Sequence, residues 1–242
     1  MTCFRIPAPR AVAPILLAAG MALPVWSLAA PVQAQGLNCA RASTSTERAI
    51  CSTPALAALD ARIAARYAAL TDEFDADSAH ALQQDQRAFL TARDTAAAPL
   101  NGTYLTDDLA DRLVARADFL DSLHNDPLTD VVGRWRNQSG DINIVQWATG
   151  VVTFEGQTVD VPRQRWICDA AGNGELTGNG AARFEVTTDG SSNWSLTVQQ
   201  KGAMLVVEEQ APAGAGAPPY CGANGTLAGV YFQAERAPDP SR

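Results

Sequence analysis

Residues 47–74 read ERAICSTPALAALDARIAARYAALTDEF. Within this stretch Leu56, Leu59, Ile63, Tyr67, Leu70 and Phe74 recur every three or four positions, which places them on one apolar stripe of an α-helix. Thr53 followed by Pro54 supplies the start signal, a hydroxyl at the N-cap position and a proline whose missing N–H costs nothing in the first turn. The same period returns in DADSAHALQQDQRAFLTAR, residues 75–93, where a helix is expected to restart after Asp77 or Ser78 with Leu82, Phe89 and Leu90 as its buried face. A third pattern, LTDDLADRLVARADFLDSL at 105–123, is expected to open at Thr106 or Asp107, with acidic residues in the first turn where the helix dipole favours them. The first half therefore reads as a three-helix bundle.

Beyond His124 the period changes from 3.6 to two. INIVQW (142–147), VVTFEG (151–156), RQRWIC (163–168), ARFEVTT (182–188), WSLTVQQ (194–200), MLVVEEQ (204–210) and GVYFQAER (229–236) are short β-type runs separated by Gly, Asn and Asp. Lys201-Gly202 reads as a tight hairpin turn between two of them, and APAGAGAPP at 211–219 as a Pro/Gly/Ala loop. Seven or eight short antiparallel strands imply a small barrel or sandwich. The fold class is thus α+β in two domains, helical over 35–125 and β over 126–236, with a disordered tail at 237–242.

The N-terminus reads as an export signal. Arg5 and Arg10 precede the apolar run AVAPILLAAGMALPVWSLAA, and Val32-Gln33-Ala34 presents small residues for cleavage before Gln35. An uncleaved anchor is the alternative, against which Pro14 and Pro24 interrupt the run. Gly36 stands where an acylation signal ahead of Cys39 would carry an apolar residue. The expected product is a periplasmic or secreted protein without a membrane segment. The chain carries 18 basic and 26 acidic residues, net −8, spread over both halves, with no basic patch for nucleic acid and no acidic tail.

Export sets the meaning of the cysteines. Cys3 leaves with the signal, and Cys39, Cys51, Cys168 and Cys221 form an even set in a compartment that permits disulfides. Of the three connectivities, pairing within each half favours Cys39 with Cys51 and Cys168 with Cys221. A metal site would want close Cys-x-x-Cys spacing and histidines, and only His80 and His124 are present. No cofactor is called for.

Catalytic signatures are missing as well. There is no G-x-S-x-G, no H-E-x-x-H and no P-loop; GNGELTGNG is Gly-rich but lacks the lysine. The carboxylates of DEFDADSAHALQ have His80 where a calcium loop needs glycine and Gln86 where it needs glutamate, so they read as a helix-capping linker. The chain is not expected to be an enzyme.

Cys39, STERAIC with Glu47 and Cys51, Leu56, Leu59, Asp60 and Tyr67, then QDQRAFLTAR with Gln86, Phe89 and Arg93, together resemble the N-terminal domain of LprI-type lysozyme inhibitors over residues 39 to about 123. Departures are Phe89, where the family often has tryptophan, and the lack of a further cysteine pair after Arg93. The residues also have an ordinary structural reading: Leu56, Leu59 and Tyr67 as core, Glu47 as a cap on a short helix holding Cys51, and Asp60 with Arg93, or Gln86 with a backbone group, as polar contacts between helices. The resemblance implies an envelope protein that binds lysozyme or another muramidase and occludes its cleft. The β-half is unassigned: its Gly133-x-Trp135 opening is similar to that of lipocalin-like barrels, and a small barrel with one long-range disulfide is similar to the membrane-bound c-type lysozyme inhibitors. The competing functions are a periplasmic small-ligand carrier, with Trp135, Trp147, Trp166 and Trp194 lining a barrel pocket, and a structural envelope protein.

Overall fold

The computed structural model describes residues 36–126, 130–187 and 193–234; the expected export signal at 1–34 and tail at 237–242 lie outside the described residues. The architecture is α+β. A 3-10 turn at Cys39–Arg41 leads to four helices, α1 Ser45–Ser52, α2 Pro54–Glu73, α3 Ala76–Ala97 and α4 Gly102–Asp121. The three long helices correspond to the three apolar stripes, and α1 is the additional short helix that carries Cys51.

Local chemistry sets each helix start. α1 opens on a capping box in which the Thr44 hydroxyl accepts from the Glu47 N–H at 3.0 Å, while the Glu47 carboxylate accepts from the backbone N–H groups of Ser43 at 2.6 Å and Thr44 at 3.0 Å. α2 begins at Pro54 as its start signal implies, although the Thr53 hydroxyl makes no capping bond. α3 starts at Ala76, two residues before Ser78, because Asp75 is its cap: Oδ1 accepts from the N–H groups of Asp77 at 3.1 Å and Ser78 at 3.0 Å. α4 starts at Gly102 rather than Thr106 or Asp107, so Asp107 and Asp108 fall in its second turn. The S–S bond of Cys39 to Cys51 ties the arm to α1, and Ile50 beside it is buried.

The second half is a closed barrel of eight antiparallel strands in chain order: β1 Gly133–Asn137, β2 Gly140–Gln146, β3 Val152–Val159, β4 Ile167–Gly178, β5 Ala181–Thr187, β6 Ser195–Lys201, β7 Met204–Gln210 and β8 Gly229–Gln233. β1 pairs with β8 to close the cylinder. Two strands depart from the sequence expectation. GRWRN forms β1, ahead of the first expected run. RQRWIC is strand only from Ile167, after which β4 continues through the Gly-rich stretch to Gly178.

Those glycines have a packing reason. Gly172 faces Phe154 across the β3–β4 pair and Gly174 faces Phe184 across β4–β5. A Cβ at Gly172 would lie 2.6 Å from the Phe154 ring and one at Gly174 would lie 2.4 Å from the Phe184 ring, so the two rings use the space that side chains would fill. The rings meet at a centroid distance of 5.1 Å in a tilted arrangement. Trp135, Ile142, Ile144, Leu196, Leu205 and Tyr231 complete the barrel core with them. Its two most buried polar tips are paired: Trp135 Nε1 donates to Val131 O at 2.8 Å and the Tyr231 hydroxyl to Leu227 O at 2.7 Å. The S–S bond of Cys168 to Cys221 joins β4 to the segment leading into β8.

Helices and barrel share a core. Ala203, Met204 and Phe232 of the barrel cluster with the apolar stripes of the helices, and Phe232 stacks on Phe74 at 6.1 Å. A polar clasp lies alongside. The Ser78 hydroxyl donates to Asp75 Oδ2 at 2.6 Å and accepts from Ala203 N at 3.1 Å. Gly202, at φ +57° in the β6–β7 turn, sits so close that a Cβ there would be 2.0 Å from Asp75 Oδ2.

Candidate functional site

The helices meet the β1–β2 hairpin around one buried cation. Arg116 of α4 is 3% exposed. Its NH1 donates to Asp85 Oδ1 at 2.5 Å, and its Nε and NH2 both donate to Gln86 Oε1, at 2.9 and 2.7 Å. Its guanidinium carbon stands 5.0 Å from the Phe89 ring centroid and 4.7 Å from that of Phe119. Burial pulls the guanidinium's proton affinity down and the Asp85 carboxylate raises it; an arginine stays charged under that balance. Asp85 then reaches into the barrel, where its Oδ2 accepts from the Gln138 N–H at 3.0 Å. One aspartate thus links α3, α4 and the turn between β1 and β2.

This junction forms the inner wall of a cleft of about 430 Å³. α4 contributes Asp108, Asp111 and Arg112, while the β1–β2 hairpin contributes Arg134, Arg136, Gln138 and Asp141. The connection after β3 closes one end, held by Arg112 NH1 donating to Val161 O at 3.0 Å. Two periodicities cooperate here. Arg112 and Arg116 are four apart on a helix and so share a face; Arg134 and Arg136 are two apart on a strand and so share the outer side of the barrel, opposite Trp135. Within the cleft Arg112 pairs with Asp108 at 2.8 Å, Arg134 with Asp141 at 2.8 Å, and Arg136 donates to Ser122 Oγ at 2.8 Å beside the Phe119 ring.

The cleft collects part of the sequence pattern and leaves the rest elsewhere. Phe89 and Arg93 line it, and Gln86 holds Arg116 from behind. Arg93 is buried and pairs with Asp94 at 2.8 Å, while Asp60 accepts from Leu37 N at 2.6 Å. The expected contact of Asp60 with Arg93 is therefore replaced by a bond from the N-terminal arm to Asp60 and a pair between the neighbours Arg93 and Asp94, and the expected backbone partner of Gln86 by the Arg116 side chain. Leu56 is buried and Leu59 and Tyr67 pack partly buried in the helical core. Glu47, half-buried on α1, is held below the usual carboxylate range by the backbone N–H groups of Ser43 and Thr44. Arg116 and Asp85 escaped the sequence reading; the signal available was a positive charge at 116 on the same helical face as the apolar Leu109, Leu113 and Leu120.

Residues 39–123 match the family model Lysozyme inhibitor LprI. The match begins at the first disulfide cysteine and ends just after α4, so it covers the helices and leaves the barrel unassigned. No curated protein and no solved structure matches the chain. The LprI-matched segment supplies Asp85, Gln86, Phe89, Arg112 and Arg116, and the unassigned barrel supplies the facing wall.

Of the four candidate tryptophans, three share the barrel's apolar cluster and one stands apart from it. Trp135 and Trp194 belong to the barrel core, Trp166 packs against it partly buried, and Trp147 is exposed on the β2–β3 turn, its Nε1 donating to Thr153 Oγ1 at 3.1 Å. Among the described residues no group of three or more His, Cys, Asp or Glu is placed to hold a metal ion. No described helix is long and apolar enough to cross a membrane.

Proposed function

We propose that this protein is exported to the cell envelope, acts without catalysis of its own, and inhibits a lysozyme or related muramidase by occluding its cleft. The observation that carries the reading is the match of residues 39–123 to the lysozyme-inhibitor family model, supported by a rigid presentation of that segment: a disulfide at its start, a shared core with the barrel behind it, and the Arg116 junction along one side. The chain's net charge of −8 suits a basic enzyme, since opposite charge speeds diffusional encounter and biases orientation. On the barrel, Glu155 and Asp169 lie around one outer depression and add to that field. The surface that enters the enzyme cleft is then an exposed edge of the helical segment, with the barrel as a rigid support.

The test is lysis of cell walls by several muramidases in the presence of residues 35–242 with both disulfides formed. The expected result is stoichiometric inhibition that weakens as salt rises, because the encounter is steered by charge. Full lysis at large molar excess for every enzyme tried would sink the proposal.

A further inference from the structure

We propose that the cleft between α4 and the β1–β2 hairpin binds an uncharged saccharide, of one or two rings. Three observations lead there. The cleft has a volume of about 430 Å³, within the range of small-molecule sites, and its walls set donor-only arginines beside acceptor-only aspartates, with Asn137, Gln138, Ser139 and Gln164 able to do both. Its charges cancel. Five arginines line it, at 93, 112, 116, 134 and 136, with the aspartates at 108, 111 and 141; Asp94 and Asp85 pair with Arg93 and Arg116 from behind. With five cations against five carboxylates, the site offers no net field to an anion. It does offer alternating donors and acceptors on planar groups, because a guanidinium bonded to one carboxylate keeps further N–H donors to give. That arrangement suits the vicinal hydroxyls of a sugar, each of which donates and accepts at once.

The third observation fixes a polarity. Gln138 lines the cleft, and its side-chain Oε1 is buried with no hydrogen-bond partner among the described residues. A buried acceptor left unpaired is costly, and a hydroxyl or amide N–H on a molecule seated in the cleft supplies the missing donor. An ionised carboxylate has no such donor and inorganic phosphate has only its P–OH, so this acceptor favours a ligand with several hydroxyls over plain anions. The site stands independently of the muramidase reading, since it draws one wall from the barrel and requires no enzyme partner.

The experiment is saturation-transfer NMR and calorimetric titration of residues 35–242 with glucose, N-acetylglucosamine and its β-1,4-linked disaccharide, alongside glucuronate, glucose 6-phosphate and inorganic phosphate. At least one neutral sugar is expected to bind, and tighter than the charged probes. Gln138→Leu is the decisive variant. It removes the orphaned acceptor while the Gln138 N–H bond to Asp85 remains, so the variant is expected to melt at or above the temperature of the parent and to bind the sugar at least tenfold more weakly. Arg112→Leu is expected to weaken binding similarly. Absence of binding by all three neutral sugars at tens of millimolar overturns the proposal. So does stronger binding of the charged probes, or sugar binding that Gln138→Leu and Arg112→Leu both leave unchanged.

Discussion

Gln86 Oε1 accepts two hydrogen bonds from Arg116, from Nε at 2.9 Å and from NH2 at 2.7 Å. Together with Asp85 on NH1, one turn of α3 meets three guanidinium nitrogens of a residue thirty positions away. Replacing Gln86 by leucine removes the acceptor for two buried donors and is expected to cost about 1–3 kcal/mol. Arg116→Met is expected to cost more, about 3–5 kcal/mol, because it leaves the Asp85 carboxylate buried without its cation. Denaturant unfolding of the two single variants and the double variant measures both terms, and near-additive losses would refute a shared network.

The β6–β7 turn yields a second prediction. Gly202→Ala combines a left-handed backbone at φ +57° with a Cβ in contact with Asp75, so it is expected to destabilise by at least about 1 kcal/mol. The same substitution at Gly216, where a Cβ meets nothing within 4 Å, is the control, expected to be neutral or slightly stabilising. Equal melting temperatures for the two variants would contradict the clasp.

Acid should loosen that clasp. Burial alone would raise the Asp75 carboxyl, but the Ser78 hydroxyl and the N–H groups of Ser78, Ala203 and Asp77 outweigh it and hold the group below its ordinary value of 3.8. A carboxyl whose folded value is depressed stabilises fully above its unfolded value and loses that contribution as pH falls through the folded one. The melting temperature is therefore expected to decline below about pH 4, near the unfolded value for aspartate, and Asp75→Asn, which can still cap α3, should flatten part of the decline. An identical pH profile for parent and variant would rule Asp75 out as a contributor.

The two disulfides should differ in weight. They close loops of 12 and 53 residues in sequence separation, for which chain entropy gives about 3 and about 4 kcal/mol respectively. Serine at both Cys168 and Cys221 is thus expected to lower stability more than serine at both Cys39 and Cys51, as read by urea midpoints. The reverse order would show that strain or residual structure in the unfolded chain outweighs loop length.

The helical half was legible because its apolar stripes are long and uninterrupted: Leu56, Ile63 and Leu70 are all buried where their spacing places them. The barrel strands from β5 to β7 were legible for the analogous reason, alternation with one face dry. β1 was not. Its Arg134 and Arg136 look like solvent-facing residues of a loop, whereas both line the cleft shared with α4, Arg134 while still exposed, and no local pattern reports which tertiary surface a polar face will meet. The Gly-rich half of β4 was hidden because its glycines serve rings on neighbouring strands. The candidate site was half legible. Gln86, Phe89 and Arg93 stand out as a motif within one helix, but Asp85 and Arg116 acquire their meaning only when α3, α4 and the β1–β2 turn come together, a juxtaposition set by the barrel's position and not by any spacing along the chain.

The closure of β1 onto β8 has a further effect on how this molecule meets others. Each of the eight described strands has a neighbour on both sides, so among the described residues no row of backbone N–H and C=O groups is offered along a sheet edge. Recruitment of an extended peptide by strand addition, and the edge-to-edge stacking that seeds fibrils, both need such a row. A partner of the folded barrel must therefore be recognised through side chains and turns, and the barrel half is expected to stay monodisperse at concentrations where open sheets of comparable apolar content begin to aggregate.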